Sequence, residues 1–118
     1  MRALAAVLVL AAIVTPAALA KGRVFATFTK PLPANAAHGD RVVVAFTLRD
    51  EQGRPVVTGP VYVKLICPTR DAFTRALAYA HTDGSYRVTA VVPPGGLGSV
   101  QIGMGTMRFR VTNPYHRR

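Results

Sequence analysis

Between Arg41 and Arg49 the chain runs Arg-Val-Val-Val-Ala-Phe-Thr-Leu-Arg, and the spacing of its side chains leaves little freedom in what it can become. Side chains on a strand alternate faces, so Val42, Val44, Phe46 and Leu48 fall on one side while Arg41, Val43, Ala45, Thr47 and Arg49 fall on the other. This predicts a β-strand with one buried face. Its end is marked by Asp50-Glu51-Gln52-Gly53-Arg54-Pro55, where glycine permits a positive φ and proline removes a ladder donor. A second alternation follows, with Val61, Val63, Leu65 and Cys67 on one face and Tyr62, Lys64 and Ile66 opposite. Cys67 is therefore expected in line with the core.

Downstream, Tyr86, Val88, Ala90 and Val92 alternate with Arg87, Thr89 and Val91 until Pro93-Pro94-Gly95-Gly96 stops the run. Ser99 to Met104 is a shorter candidate, and Met107, Phe109 and Val111 alternate with Arg108, Arg110 and Thr112. Val24 to Thr29 is rich in β-formers but less clearly patterned. Ala72 to Ala80 suits two readings, because its alanines with Phe73 and Leu77 fit a short helix while Leu77 and Tyr79 also fit a strand. It is read as a strand, with the helix as alternative. About six to seven strands separated by glycine and proline at short intervals are the pattern of an all-β sandwich or barrel.

The first twenty residues read as a signal peptide: Arg2 supplies a positive end, Ala3 to Val14 are apolar, Pro16 breaks a helix, and Ala18-Leu19-Ala20 gives a small-x-small cleavage site. The apolar run is too short to span a bilayer, and Lys21 stands where a lipoprotein would need cysteine. The expected mature chain therefore starts at Lys21, forms one domain over 21–112 and ends in a polar tail over 113–118. It is expected to be exported, periplasmic or secreted, with no stable membrane span. Cys67 is the only cysteine, so no internal disulfide can support the fold and packing alone must hold it. Removing the segment that holds Arg2 leaves fourteen Lys and Arg against five acids, a net charge of +9.

Three pieces of turn and strand chemistry recur in known modules. Asp50-x-x-Gly53-x-Pro55-Val56, then Gly59-x-Val61-x-Val63-x-Leu65, then Thr82-Asp83-Gly84-x-Tyr86, resemble bacterial secreted Ig-like or transthyretin-like modules. The nearest in pattern are YtkA-like domains and the regulatory-like domains of carboxypeptidases. The resemblance covers Gly39 to about Gly103 and implies an Ig-like antiparallel β-sandwich that binds, scaffolds or assists another component, with no catalytic residue carried over. Asp83-x-x-Tyr86 also looks like a tyrosine corner, in which a tyrosine hydroxyl bonds back to nearby backbone. Valine at 88 and the absence of tryptophan exclude an antibody-type domain.

The sequence holds no nucleophile elbow, phosphate loop, dinucleotide fingerprint or zincin helix. Gly95-Gly96-Leu97-Gly98 is read as a hairpin connection, and Asp83 as a turn former. No enzyme activity and no cofactor are expected. The alternative from another class is a periplasmic copper-handling protein, in which Met104 and Met107 would join His38, His81 or His116, since thioethers and imidazoles suit copper. Cys67 would join only if its strand faced the same way. On the leading reading the protein is a non-enzymatic envelope module whose partner is an envelope protein or an anionic envelope polymer, held weakly and electrostatically. Nucleic acid is not expected, because export removes the protein from it and no recognition motif is present. In an Ig order, Arg41, Arg49 and Arg87 would lie outside one sheet, and Lys64, Arg108 and Arg110 outside the other.

Overall fold

The computed structural model describes residues 23–115. The signal peptide expected over 1–20 lies outside the described residues, as does His116. Within them the protein is all-β and contains no helix. The strands are β1 (Phe25–Phe28), β2 (Arg41–Arg49), β3 (Val61–Ile66), β4 (Phe73–Ala80), β5 (Ser85–Val91), β6 (Ser99–Met104), β7 (Met107–Arg108) and β8 (Arg110–Val111). The ambiguous segment after Ala72 is thus a strand.

The strands form one sheet in the order β7-β6-β3-β4-β5-β2-β1-β8. Its two ends, β7 and β8, are consecutive pieces of a single chain segment interrupted only at Phe109. Arg108 stands opposite Gly103 of β6, whereas Arg110 stands opposite Phe25 of β1 in the sheet's only parallel pairing among the described residues. At the joint, the Phe109 amide donates to the Ile102 carbonyl at 2.9 Å and the Arg110 amide to the Val24 carbonyl at 2.9 Å. One segment therefore binds both edges and nearly closes the sheet on itself. Closure of this kind removes the open edges that would otherwise invite pairing with other chains.

The interior follows from the alternation. Val42, Val44, Phe46 and Leu48 of β2, and Val61, Val63, Leu65 and Cys67 along and just after β3, are all buried. The Phe109 side chain is buried with them and plugs the seam. Tyr86 is completely buried and stacks on Phe46, its partner in the β2–β5 ladder, with centroids 5.3 Å apart and planes inclined by 5°. Its hydroxyl accepts a 2.9 Å hydrogen bond from the Thr58 amide and lies 3.4 Å from the Val56 carbonyl. This departs from the tyrosine corner: the hydroxyl reaches across the core to the β2–β3 connection, not to nearby backbone. Burial raises its pKa, an effect offset in part by the bond to Thr58. Tyr86→Phe leaves the Thr58 amide without its partner and is expected to cost about 1 kcal/mol. The check is a lowered urea midpoint with an unchanged slope.

Two further expectations meet the structure differently. Gly95 to Gly98 does not close a hairpin, because β5 is flanked by β2 and β4 while β6 pairs with β3 and β7; the loop is a crossover. Of the tail expected over 113–118, the described part is tied down: the Leu32 amide donates to the Pro114 carbonyl at 2.8 Å, and the Tyr115 hydroxyl to the Gly98 carbonyl at 2.9 Å.

Candidate functional site

Strand β4 carries its bulk on the outside. Its inward positions are Thr74, Ala76, Ala78 and Ala80, and its outward ones are Phe73, Arg75, Leu77 and Tyr79. Phe73, Leu77 and Tyr79 are 56%, 48% and 59% exposed. With Val91 they make up the large exposed hydrophobic side chains among the described residues. Val91 is close by, since the Thr74 hydroxyl donates to its carbonyl. A soluble surface tolerates scattered apolar residues, but a strand that buries alanine and displays phenylalanine, leucine and tyrosine inverts the usual preference.

The ladder fixes what stands beside these residues, because directly opposed residues project to the same face. Phe73 faces Ile66 and then Ser99, Arg75 faces Lys64 and then Gln101, and Leu77 faces Tyr62 and then Gly103. Beyond Gly103 comes Arg108. Cations and rings interleave across this grid. The Lys64 ammonium sits 4.3 Å from the Phe73 ring centroid, and the Arg75 guanidinium 5.1 Å from that of Tyr62. Tyr62, Lys64, Phe73, Arg75 and Gly105 enclose a shallow open hollow.

Gly103 is required here. A Cβ on it would come within 2.6 Å of the Tyr62 hydroxyl and 2.2 Å of the Met107 carbonyl oxygen. Glycine lets the end of the Tyr62 phenol lie across β6.

Charge on this face is of one sign. None of the eight strands contains an acid; Asp40, Asp50, Glu51, Asp71 and Asp83 all stand in turns. Four of the five are occupied with local backbone or hydroxyl groups. Asp40 accepts from the Ala37 amide, and Asp50 from the Gln52 and Arg54 amides. Asp71 accepts from the Thr69 hydroxyl and the Cys67 thiol, and Asp83 from the amide and hydroxyl of Ser85. The hydrogen bonds of Ser85 hold the Asp83 carboxyl below its ordinary pKa, and those of Thr69 and then Cys67 do the same for Asp71. The one ion pair among the described residues joins Arg54 to Asp50 at 2.8 Å inside a turn.

The cations expected on two outer faces divide differently in one respect. Lys64 and Arg108 share the face just described, but Arg110 sits on β8 beside β1, because the chain changes edge at Phe109. Arg41, Arg49 and Arg87 lie on β2 and β5 as expected. Positive charge is therefore spread around the sheet, while the exposed rings and leucine are gathered on and beside β4.

Met104 and Met107 face each other at the end of the β6–β7 hairpin and pack, partly buried, against the core. The Met104 sulfur accepts a 3.4 Å contact from the Thr58 hydroxyl. His38 lies in an exposed loop, and His81 lines a shallow depression with Thr82, Asp83, Ser85 and Arg87. Cys67 is buried, with its sulfur 3.1 Å from Asp71 Oδ1 and 3.3 Å from Thr69 Oγ1. Among the described residues no three His, Cys, Asp or Glu side chains stand together as a metal cluster.

The alternation of β4 was the missed signal. Alanines at 76, 78 and 80 share one parity, and the small residues mark the inward face, whereas hydrophobicity alone would assign Phe73, Leu77 and Tyr79 to the core. Fold and face together define an all-β protein with strands free of acids and, on β4, β3 and β6, an outer face in which cations and aromatic rings interleave. No family model, curated protein or solved structure matches the chain.

Proposed function

We propose that the protein is a non-enzymatic, exported binding module of the bacterial envelope, and that it holds an anionic envelope polymer on the outer face of β4, β3 and β6. The observation that carries this reading is the inverted strand β4, whose outward Phe73, Leu77 and Tyr79 stand among Arg75, Lys64 and Tyr62 with no acid on any neighbouring strand. Exposed rings offer flat apolar area for sugar rings, and Lys64 and Arg75 offer charge to carboxylate or phosphate groups. A polymer matches an open face better than a small molecule would, since small ligands favour concave pockets that bury most of their surface.

The same reading extends to the fold. Pairing of β1 with β2, β2 with β5 and β5 with β4, and of β3 with β6 and β6 with β7, follows the order of a seven-strand Ig-like sandwich. The ladder between β4 and β5 has only two residue pairs, which supports a fold into two layers along that line. β4 additionally pairs along its length with β3. Membership among YtkA-like or carboxypeptidase regulatory-like modules remains part of this proposal, as does export behind residues 1–20.

Binding to polygalacturonate, with neutral dextran as control, tests the function. Lys64→Ser with Arg75→Ser is expected to weaken binding about tenfold or more, the effect of losing two charge-assisted contacts. Phe73→Ser is expected to weaken it without changing the charge. Arg49→Ser with Arg110→Ser removes the same two charges beside β1 and should cost far less. Equal losses from both charge pairs would reduce the attraction to net charge and sink the reading. Tighter binding of polyglutamate through the same residues would assign the face to acidic proteins.

A further inference from the structure

The seam that closes the sheet leaves a slot on one side. The ladder between β6 and the following segment reaches only to Ile102, because from Arg110 onward the chain pairs with β1. Between the diverging strands lies an open cleft of about 230 Å³, lined by the apolar Ile66, Val100, Phe109 and Val111 and by the polar Ser99, Gln101, Arg70 and Arg108. The two arginines come from different parts of the chain, Arg70 from the β3–β4 turn and Arg108 from β7.

Arg70 sits there at a conformational cost. It is the one non-glycine residue with a positive φ among those described, at 68°. The turn demands this: the Arg70 amide donates to the Cys67 carbonyl at 2.9 Å, and the Cys67 amide to the Ala72 carbonyl at 3.0 Å, closing a tight hairpin. Glycine or asparagine meets the left-handed region with less strain than a long side chain. Strain retained at one residue is a reason to ask what its side chain does.

Neither guanidinium is neutralised within the fold. Among the described residues Arg70 and Arg108 have no carboxylate within ion-pair distance, and no hydrogen bond to their side chains is found. The nearest acid in sequence, Asp71, is turned to the Thr69 hydroxyl and the Cys67 thiol. Two arginines without a carboxylate partner, a serine and a glutamine lining one open cleft have the chemistry of an oxyanion site.

We infer that this cleft binds a single small oxyanion, a phosphate or a carboxylate, between Arg70 and Arg108. The cleft shares Ser99, Gln101 and Arg108 with the outer face of β6, while Arg70 and Phe109 are its own and set it apart from the hollow beside Phe73 and Arg75. Serine and glutamine at 99 and 101 supply neutral donors beside the two charges.

The test is calorimetric and thermal titration of the protein with inorganic phosphate and, in a separate arm, acetate, each against sodium chloride of matched ionic strength. Saturable binding at one site per chain is expected. A preference for phosphate would identify phosphate-bearing ligands as the source, and a preference for acetate carboxylate-bearing ones. Arg70→Asn is expected to weaken binding about tenfold or more while raising the Tm of the unliganded protein by a few degrees, because strain is relieved. Arg108→Gln should weaken binding comparably, and Arg70→Lys should fail to restore it, since an ammonium lacks the fork. Unchanged binding in Arg70→Asn, or an equal loss in Arg41→Gln on β2, would overturn the inference.

Discussion

Val44→Asp is expected to abolish cooperative folding. Val44 is fully buried in the middle of β2, opposite Val88 of β5, with no charged side chain among the buried residues to pair with a carboxylate. An unpaired charge there costs several kcal/mol, and a domain of this size has only about 5–15 kcal/mol of net stability to lose. With no disulfide to hold the chain, nothing else limits the damage. Thr89→Asp is the control, because Thr89 is exposed on the adjacent strand, and its cost is expected to stay within about 0.5 kcal/mol. Circular dichroism during urea titration separates the two: a sigmoidal transition for Thr89→Asp and none for Val44→Asp. A cooperative transition in both would mean that the face assignment of β2 is wrong.

Phe109→Ala is the second large effect, expected at about 3–5 kcal/mol. The phenylalanine is 5% exposed and stands at the one point where the segment leaves β6 for β1. Removing the ring empties the seam, and the two-residue ladders on either side have little else to hold them. The loss should be visible locally before it is visible globally. Amide exchange of Phe109 and Arg110, whose hydrogen bonds run to Ile102 and Val24, is expected to accelerate beyond that of the β2–β5 ladder. Leu77→Ala removes comparable volume from an exposed position and is expected to be nearly neutral. If Phe109→Ala and Leu77→Ala cost the same, closure does not depend on the plug.

What the sequence makes legible is whatever rests on strict alternation around large apolar residues. β2 and β3 were readable because one parity in each is apolar throughout and buried, Val42, Val44, Phe46 and Leu48 in β2 and Val61, Val63 and Leu65 in β3 with Cys67 just after it, while the other parity carries Arg41, Thr47 and Arg49 or Tyr62 and Lys64. β4 breaks that coincidence. Its inward members after Thr74 are alanines, with Ala78 fully buried, so bulk and burial point opposite ways and a short helix stands as the alternative to the strand reading. The candidate face was hidden for the same reason, and Arg75 with it. The seam was hidden by a different cause. Met107 to Val111 alternates as one uninterrupted strand, and nothing local reveals that its first half pairs with β6 and its second with β1. Which edges a strand binds is decided by the other strands, as it is for the crossover at Gly95 to Gly98.

The central claim is that one face of this sheet, and not the diffuse positive charge, is the working surface. Amide chemical shifts of the uniformly labelled protein, followed during titration with polygalacturonate at physiological salt, test it most directly. The account predicts perturbations concentrated at Tyr62, Lys64, Phe73, Arg75 and Leu77, with the β1 and β2 residues around Phe25, Arg41 and Arg49 unmoved. Perturbations following every arginine around the sheet, or none near β4, would contradict it.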